Sequence, residues 1–374
     1  MYLAIREMRF AKGRYALIAT IMVLVSFLVL FVTGLAQGLA YDNAASIKNM
    51  AASHFVLEQD SNHRFTRSQV GQEQLHEARS VVGQENAEPL GVQMTTISPA
   101  GDTKKVDVAL FMVNPDSWLA PQVVEGSTIS DESSGQVVVD QKLAKSGVTL
   151  GTVLVDQASG TEWTVSGFVQ NESFSHAPVV FLNEQEWLAL QGGSRTSQGA
   201  EGADAPAYNA IALKNIGDQA DSLGAALPGT EVITKSDVVS AIPGYKEEQG
   251  SLLMMIAFLY VISAFVLAVF FYVITIQKTS QFGILKAIGT RNAYLAGSVS
   301  LQVLVLSVGS LVISVLLVRL FESILPASMP FQLGTSTLAL TCLLFLFTSV
   351  AGSLFSVWKV TKIDALDAIG RTAA

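Results

Sequence analysis

Charged residues and cysteine are both scarce in this chain of 374 residues. Asp, Glu, Lys and Arg make up 14% of it, against about 25% in an average soluble domain. The one cysteine, Cys342, leaves these residues without an intrachain disulfide or a zinc site built on several thiolates. No long run of lysine and arginine is present to neutralise phosphates. These absences argue against a disulfide-stapled secreted domain and against a nucleic-acid-binding protein.

The sequence also lacks the short motifs of common enzyme classes. It contains no G-x-S-x-G nucleophile elbow, no H-E-x-x-H zinc motif and no P-loop of the form G-x-x-x-x-G-K-[ST]. None of its four histidines, at positions 54, 63, 76 and 176, forms a closely spaced metal-ligand pair with another. The sequence therefore predicts no catalytic residues, no intrinsic cofactor and no ATP binding by this chain, and it leaves metal binding open.

Long apolar runs are what the chain has in excess. Half of its residues are apolar, and a helix needs about 20 such residues to cross a bilayer core. The runs predict transmembrane helices at 15–39, 251–276, 295–320 and 333–358. The first run is longer than the apolar core of about 7–15 residues in a signal peptide, which favours an uncleaved helix over a cleaved leader.

The distribution of charge predicts the orientation of these helices. Residues 1–14, the loop 277–294 and the tail 359–374 together hold ten Lys and Arg against three acids. By the positive-inside rule, we expect both termini and this loop in the cytoplasm, in a plasma-membrane protein. The insert at 40–250, with 12 Lys and Arg against 27 Asp and Glu, is then extracellular, as is the short loop 321–332.

Within the insert, short apolar runs bounded by turn residues predict strands that alternate irregularly with helices. The predicted fold class is therefore a membrane protein with four transmembrane α-helices. A large mixed α+β extracellular domain is inserted between helices 1 and 2.

Two cytoplasmic segments have apolar residues at helical spacing. Residues 1–14 predict an amphipathic helix on the membrane surface, although they could equally be a basic flank that sets the topology. In the loop 277–294, Phe282, Leu285 and Ile288 recur at every third position, with Ile284 close to the same side. This pattern predicts a short amphipathic helix that lies on the membrane or docks into a groove of a cytoplasmic partner.

The loop carries a family resemblance as well. Its stretch FGILKAIG (282–289) resembles the coupling helix of FtsX/MacB-type permeases of ABC transporters, and 136–154 with 162–170 resembles their extracytoplasmic domain. The resemblance implies two permease copies in membrane lipid and two copies of a separate ATPase subunit that binds ATP. It implies that the ATPase is contacted by Phe282, Gly283, Ile284, Leu285, Lys286, Ala287, Ile288 and Gly289.

A narrower resemblance suggests the cargo. Residues 1–18 and 29–40 look like heme-efflux permeases of Gram-positive bacteria, which implies heme as the transported substrate. Heme iron accepts His, Met, Tyr or carboxylate ligands, and such residues lie near the outer ends of the first two spans. The candidate cargo residues are Tyr41, Met50, His54, Glu247, Glu248, Met254, Met255 and Tyr260, together with the aromatic neighbour Phe258.

Plainer interpretations of these residues stay open. The methionines could be apolar filling, His54 could face solvent, and the glutamates could simply favour a helix start. His63 and His176 are expected to lie away from the cargo site, because both are distant in sequence from the span ends.

Three functions therefore remain in competition. They are an exporter of heme or another amphipathic compound such as a drug, peptide or lipid, a scaffold that moves to activate an extracellular partner, and a receptor without an ATPase.

Overall fold

The computed structural model describes residues 12–198, 207–326 and 329–361. The chain divides into two compact units, Met1–Gly38 with Gly250–Ala374 and Leu39–Gln249. We name the first the helical unit and the second the insert domain. The predicted helix at 1–14 and the tail 359–374 fall mostly outside the described residues, so both stay predictions.

The four predicted spans correspond to four long helices. The α-helices of both units, long and short, are α1 (Lys12–Asp42), α2 (Ala45–Asn49), α3 (Gln72–Val82), α4 (Glu184–Gln198), α5 (Ala220–Ala226), α6 (Lys235–Ala241), α7 (Tyr245–Gln277), α8 (Thr279–Ala287), α9 (Asn292–Ile324) and α10 (Thr335–Thr361). Among the described residues, α1, α7, α9 and α10 are long and apolar enough to cross a bilayer. The first three are longer than the runs that predicted them, because helical hydrogen bonding continues through the polar residues at their ends.

Small and hydroxyl-bearing residues hold α1 against α9. The Oγ atoms of Ser26 and Ser314 are 2.6 Å apart, and Ser314 Oγ also donates to the backbone oxygen of Val23 at 2.9 Å. In lipid, burying one apolar surface against another gives little driving force, so close backbone approach and hydrogen bonds such as these carry helix association.

Two glycines of α1 make room for the chain between α9 and α10. A Cβ atom at Gly34 would overlap the ring of Phe331, and one at Gly38 would overlap the backbone carbonyl of Pro330. The amide of Gln332 donates to the backbone oxygen of Gly34 at 3.0 Å. The loop therefore lies directly on the backbone of α1.

In contrast, α7 is only narrowly attached. Its buried residues are Ser263, Leu267, Phe271 and Thr275. They recur at every fourth position and form one thin stripe, since residues four apart share a helix face. Most of the remaining surface of α7 is apolar and exposed.

The insert domain is built on one large mixed sheet. Its strands are β1 (His54–Glu58), β2 (Val70–Gly71), β3 (Ala87–Pro99), β4 (Val106–Met112), β5 (Val123–Gly126), β6 (Gln136–Asp140), β7 (Val153–Asp156), β8 (Glu162–Val169), β9 (Ser173–Phe174), β10 (Ala177–Leu182), β11 (Ala207–Tyr208), β12 (Ala210–Leu213) and β13 (Thr230–Thr234). In the described part of the chain, eleven strands form a sheet whose main order is β13-β1-β12-β3-β4-β10-β6-β8-β5, with β7 and β9 at its sides. The pairs β4–β10 and β6–β8 are parallel, which confirms the predicted mixed α+β class.

Both faces of the sheet are buried, so its central strands are apolar at successive positions. In β10, Val180 and Leu182 enter a core that includes Leu75 and Leu223 of α3 and α5. The alternate residues Val179 and Phe181 enter a second core covered by α2 and α6. Side chains alternate between the faces of a strand, so helices on both sides are needed to cover such a run.

We expect Gly38→Ala to lower the midpoint of thermal unfolding in detergent. The added methyl group has no space against Pro330, and overpacking of this kind costs about 1–3 kcal/mol. The matched control is Gly309→Ala in α9, where a Cβ atom meets nothing within 4 Å. The control should be neutral or slightly stabilising, because alanine is the better helix former. A Gly38→Ala protein as stable as the wild type would contradict the described packing of the loop.

Candidate functional site

A short hairpin of the insert domain brings a histidine between two carboxylates. His176 lies in the turn between β9 and β10, and its Nε2 atom is 3.1 Å from Glu248 Oε2 in the first turn of α7. Its Nδ1 atom is 3.6 Å from an oxygen of Asp42, the last residue of α1. One imidazole ring therefore contacts both helices where they join the insert domain.

Further polar contacts anchor each carboxylate separately. Asp42 forms an ion pair with Lys142 and accepts a hydrogen bond from Ser173 Oγ at 2.9 Å. Glu248 Oε2 accepts a hydrogen bond from Asn43 Nδ2 at 2.6 Å. We name Asp42, Asn43, Lys142, Ser173, His176 and Glu248 the His176 cluster.

The placement of His176 overturns an expectation from the sequence. His176 was expected to lie away from the candidate site because of its distance along the chain, yet it contacts Glu248, 72 residues away. Strand pairing causes this, since the hairpin that carries His176 is fixed by its position in the sheet. His63 pairs with Glu231 at 3.2 Å and is not part of the cluster, and its distance from the cargo site stays a prediction.

The other predicted ligands of the insert domain lie elsewhere in it. Tyr41 donates to Asn49 Oδ1 at 2.5 Å, and Met50 is buried. His54 begins β1, and its Nδ1 atom is 3.0 Å from Ser53 Oγ. Glu247 is exposed at the start of α7, beside Glu248. Only Glu248 of the predicted residues belongs to the His176 cluster.

Met50 does line a cavity of the insert domain. The cavity has a volume of about 350 Å³, and its walls include Asn49, Trp118 and Glu172. Burial raises the pKa of the Glu172 carboxyl, and the hydrogen bond that Asn49 Nδ2 donates at 3.0 Å opposes that rise. The polar groups among its walls suit a small polar solute better than a flat apolar macrocycle.

In the helical unit, the predicted methionines are on the surface. Met254 is 60% exposed, and Met255 and Phe258 are exposed as well. Tyr260 is partly buried and donates to the backbone oxygen of Thr341 at 3.3 Å. Neither methionine is buried within the helical unit, and the interpretation of Met254 and Met255 as apolar filling stays a prediction.

The predicted coupling stretch forms a helix, but only part of its predicted apolar face is exposed. Phe282 is buried, and it packs with Leu285 against Leu295 and Val299 at the beginning of α9. In contrast, Ile284 is exposed and Ile288 is 77% exposed. Phe282 and Leu285 are turned inward because α8 packs against the beginning of α9. The apolar edge free for a partner is formed by Ile284 and Ile288, four residues apart on one side of the helix.

A polar cluster beside this helix was not predicted. Lys278 directly precedes α8, is only 6% exposed, and donates to Tyr15 Oη of α1 at 2.6 Å. Tyr15 in turn donates to Gln302 Oε1 of α9 at 2.6 Å, which is 3.4 Å from Lys278 Nζ. Lysine 278 was interpreted from the sequence only as a topology signal. A glutamine inside an apolar run was the available clue, since polar side chains within membrane helices usually face the interior of the bundle.

Comparisons with known proteins cover the whole chain. Residues 253–365 match the model of the FtsX-like permease C-terminal family. The chain is 30% identical, over 99% of both sequences, to a Staphylococcus haemolyticus protein described as "Putative hemin transport system permease protein HrtB". A Staphylococcus epidermidis protein of the same description is 29% identical over the same share of both chains. Among solved structures, the extracellular domain of the ABC-type transporter YknZ from Gram-positive bacteria aligns at 17% identity with a TM-score of 0.34, over 49% of this chain and 99% of that one.

We expect Tyr15→Phe to destabilise the helical unit. The change removes an acceptor from the buried ammonium group of Lys278 and a donor from Gln302, at a cost of about 1–3 kcal/mol. The measurement is the midpoint of thermal unfolding in detergent. Tyr294→Phe is the matched control, because Tyr294 lies in α9 and is 52% exposed. Equal midpoints for the two variants would show that the buried cluster adds no stability.

Proposed function

This chain belongs to the family of FtsX-like ABC transporter permeases, and from that premise we propose that it is the membrane subunit of a pump that exports heme. The assignment of heme as the cargo rests on one observation. The chain is 30% identical to a protein described as a hemin transport permease, over 99% of both chains. A similarity of that extent includes the spans and the insert domain together. As a permease subunit, the chain is not itself an enzyme.

The energy for export comes, in this proposal, from a separate ATPase subunit present in two copies. Ile284 and Ile288 supply an exposed apolar edge on α8, which suits a groove on such a partner. Lys278 links the beginning of α8 to α1 and α9 through Tyr15 and Gln302. A push on α8 would therefore reach α1 and α9 without any chemistry in this chain.

The cargo site is placed on the exposed surface of α7. Met254 and Met255 are polarizable, reach outward and can ligate heme iron, and Phe258 adds an aromatic surface on the same helix. In a homodimer every residue occurs twice about the axis, so one pair of methionines can serve both faces of a flat macrocycle. Met50 and His54 are less suitable ligands, because Met50 is buried and His54 lies in the sheet.

The orientation follows the charge distribution. The segments predicted as cytoplasmic hold ten Lys and Arg against three Asp and Glu, whereas the insert domain holds 12 against 27. This asymmetry supports cytoplasmic termini and an extracellular insert domain in a plasma membrane. Heme that enters a cleft at the outer ends of α1 and α7 would then leave to the outside.

The family itself favours a second candidate. An FtsX-like scaffold would use the same ATPase to move the insert domain and activate an extracellular partner. An exporter of another amphipathic compound is the third possibility. Heme-stimulated ATPase activity of the complex separates the heme pump from both, because neither alternative requires a response to heme.

We expect Ile284→Asp and Ile288→Asp to weaken association with the ATPase subunit. A carboxylate in a desolvated apolar contact costs about 2–3 kcal/mol, which corresponds to roughly 30- to 150-fold weaker binding. Pull-down of the ATPase from detergent extracts measures this. Ile284→Leu and Ile288→Leu keep the edge apolar and serve as controls that should bind normally. Normal recovery of the ATPase with both aspartate variants would refute docking at this edge.

The cargo site is tested by replacing Met254 and Met255 together with alanine. We expect the chain purified from heme-fed cells to lose most of its Soret absorption after washing, because the iron loses its ligands. Leu253→Ala is the matched control, since Leu253 is a neighbour without a sulfur atom and, at 69%, is even more exposed than Met254. Neither variant should unfold the protein, because these side chains fill no core. An unchanged Soret band in the double variant would move the site elsewhere, with α9 and α10 the next region to test.

A further inference from the structure

We propose that His176 is a positioning residue of the transport cycle. With both ring nitrogens protonated, it binds Asp42 and Glu248 at once and so joins the end of α1 to the beginning of α7. When the ring loses one proton, that connection opens. The inference rests on membership of the permease family and does not depend on heme being the cargo.

His176 can contact both carboxylates at the same time only when both of its ring nitrogens carry a proton. Each ring nitrogen faces its own carboxylate, Nε2 toward Glu248 at 3.1 Å and Nδ1 toward Asp42 at 3.6 Å. A neutral imidazole has only one N–H group, so its other nitrogen would present a lone pair to a negative charge. Imidazolium has two N–H groups and a positive charge, and it attracts both carboxylates. Histidine ordinarily changes between these forms within the physiological pH range.

The surrounding charges keep each carboxylate in place when His176 is neutral. Asp42 retains its ion pair with Lys142. The nearby carboxylate of Asp140 repels that of Asp42. Glu248 retains Asn43 as a donor, and Lys48 attracts it electrostatically while the hydroxyl of Tyr245 lies nearby. Loss of the proton therefore removes the link through His176. Asn43, which directly follows α1, and Lys48, which donates to the Ala40 carbonyl of α1, still contact the beginning of α7.

The hairpin holds the histidine in an unusual backbone conformation. Ser175 and His176 have φ values of 51° and 63°, and they form a two-residue turn, because Phe174 pairs with Ala177. Glycine and asparagine are the residues that such turns favour. The chain instead carries a large titratable ring there, next to β10, a strand in the interior of the sheet. A strand in the interior of the sheet thus holds a side chain that contacts both helices.

Glu248 has an oxygen atom that can accept a further hydrogen bond. Its second oxygen, Oε1, is buried and accepts no hydrogen bond from any described residue. A buried acceptor without a donor destabilises the fold. A positive charge on the adjacent ring therefore stabilises Glu248 more than it would stabilise an exposed glutamate.

The test measures hydrogen exchange in the full chain in detergent at about pH 5.5 and pH 8, on either side of the ordinary titration of histidine. After correction for the intrinsic exchange rate, amides of residues 42–50 and 244–250 should be about three- to tenfold better protected at the lower pH. His176→Asn should abolish this difference, because asparagine adopts the same backbone conformation but cannot titrate.

His63→Asn is the matched control. His63 also has a positive φ, of 60°, and pairs with a glutamate at 3.2 Å, but it contacts neither helix end, so this variant should keep the pH difference. Glu248→Gln offers a second route if His176→Asn folds poorly, and it too should abolish the difference. No pH difference in the wild type, or one that persists in both His176→Asn and Glu248→Gln, overturns the proposal. If the chain retains no heme but still shows the pH-dependent protection that requires His176, the role of His176 is supported and only the proposed cargo is refuted.

Discussion

The helices of this protein cannot rely on the hydrophobic effect to hold them together in lipid, and the arrangement of the helical unit depends on that constraint. Lipid tails are as apolar as leucine, so the bundle uses small residues and polar contacts instead. Gly34, Gly38 and the pair of Ser26 with Ser314 fasten α1 to its neighbours. Only a thin stripe fastens α7. The most weakly packed of the long helices is thus the one that carries the candidate cargo residues.

Polar contacts flank α7 where packing is thin. Lys278 follows its last residue and binds Tyr15 in the helical unit, while Glu248 lies in its first turn and binds His176 in the insert domain. A residue held by a few charge-assisted hydrogen bonds can change partners with less reorganisation than one held by a close-packed core. This arrangement suits a subunit that transmits movement along its length, and it agrees with the lack of catalytic motifs in the sequence.

How far the sequence predicted the candidate site depended on whether a residue acts within its own helix. Four long apolar runs predicted the four long helices, because span length and composition are local properties. The pattern of Phe282, Leu285 and Ile288 predicted the short helix α8, but two of these three residues face inward. Periodicity locates an apolar face without identifying its partner, and α9 had already covered Phe282 and Leu285. His176 was missed because only sheet pairing brings it to Glu248.

The sequence by itself therefore determined the class of protein: a membrane subunit with four spans, a mixed insert domain and the resemblance that placed it among permeases. Hydrophobicity, charge bias and short motifs each act over one segment, so they can be interpreted without knowing what that segment contacts. Only the tertiary structure decided that Met254 and Met255 face outward, that Ile284 and Ile288 form the free edge, and that Lys278 and His176 each join two helices. Those outcomes depend on contacts between residues tens to hundreds of positions apart, and no local pattern specifies which pairs will meet.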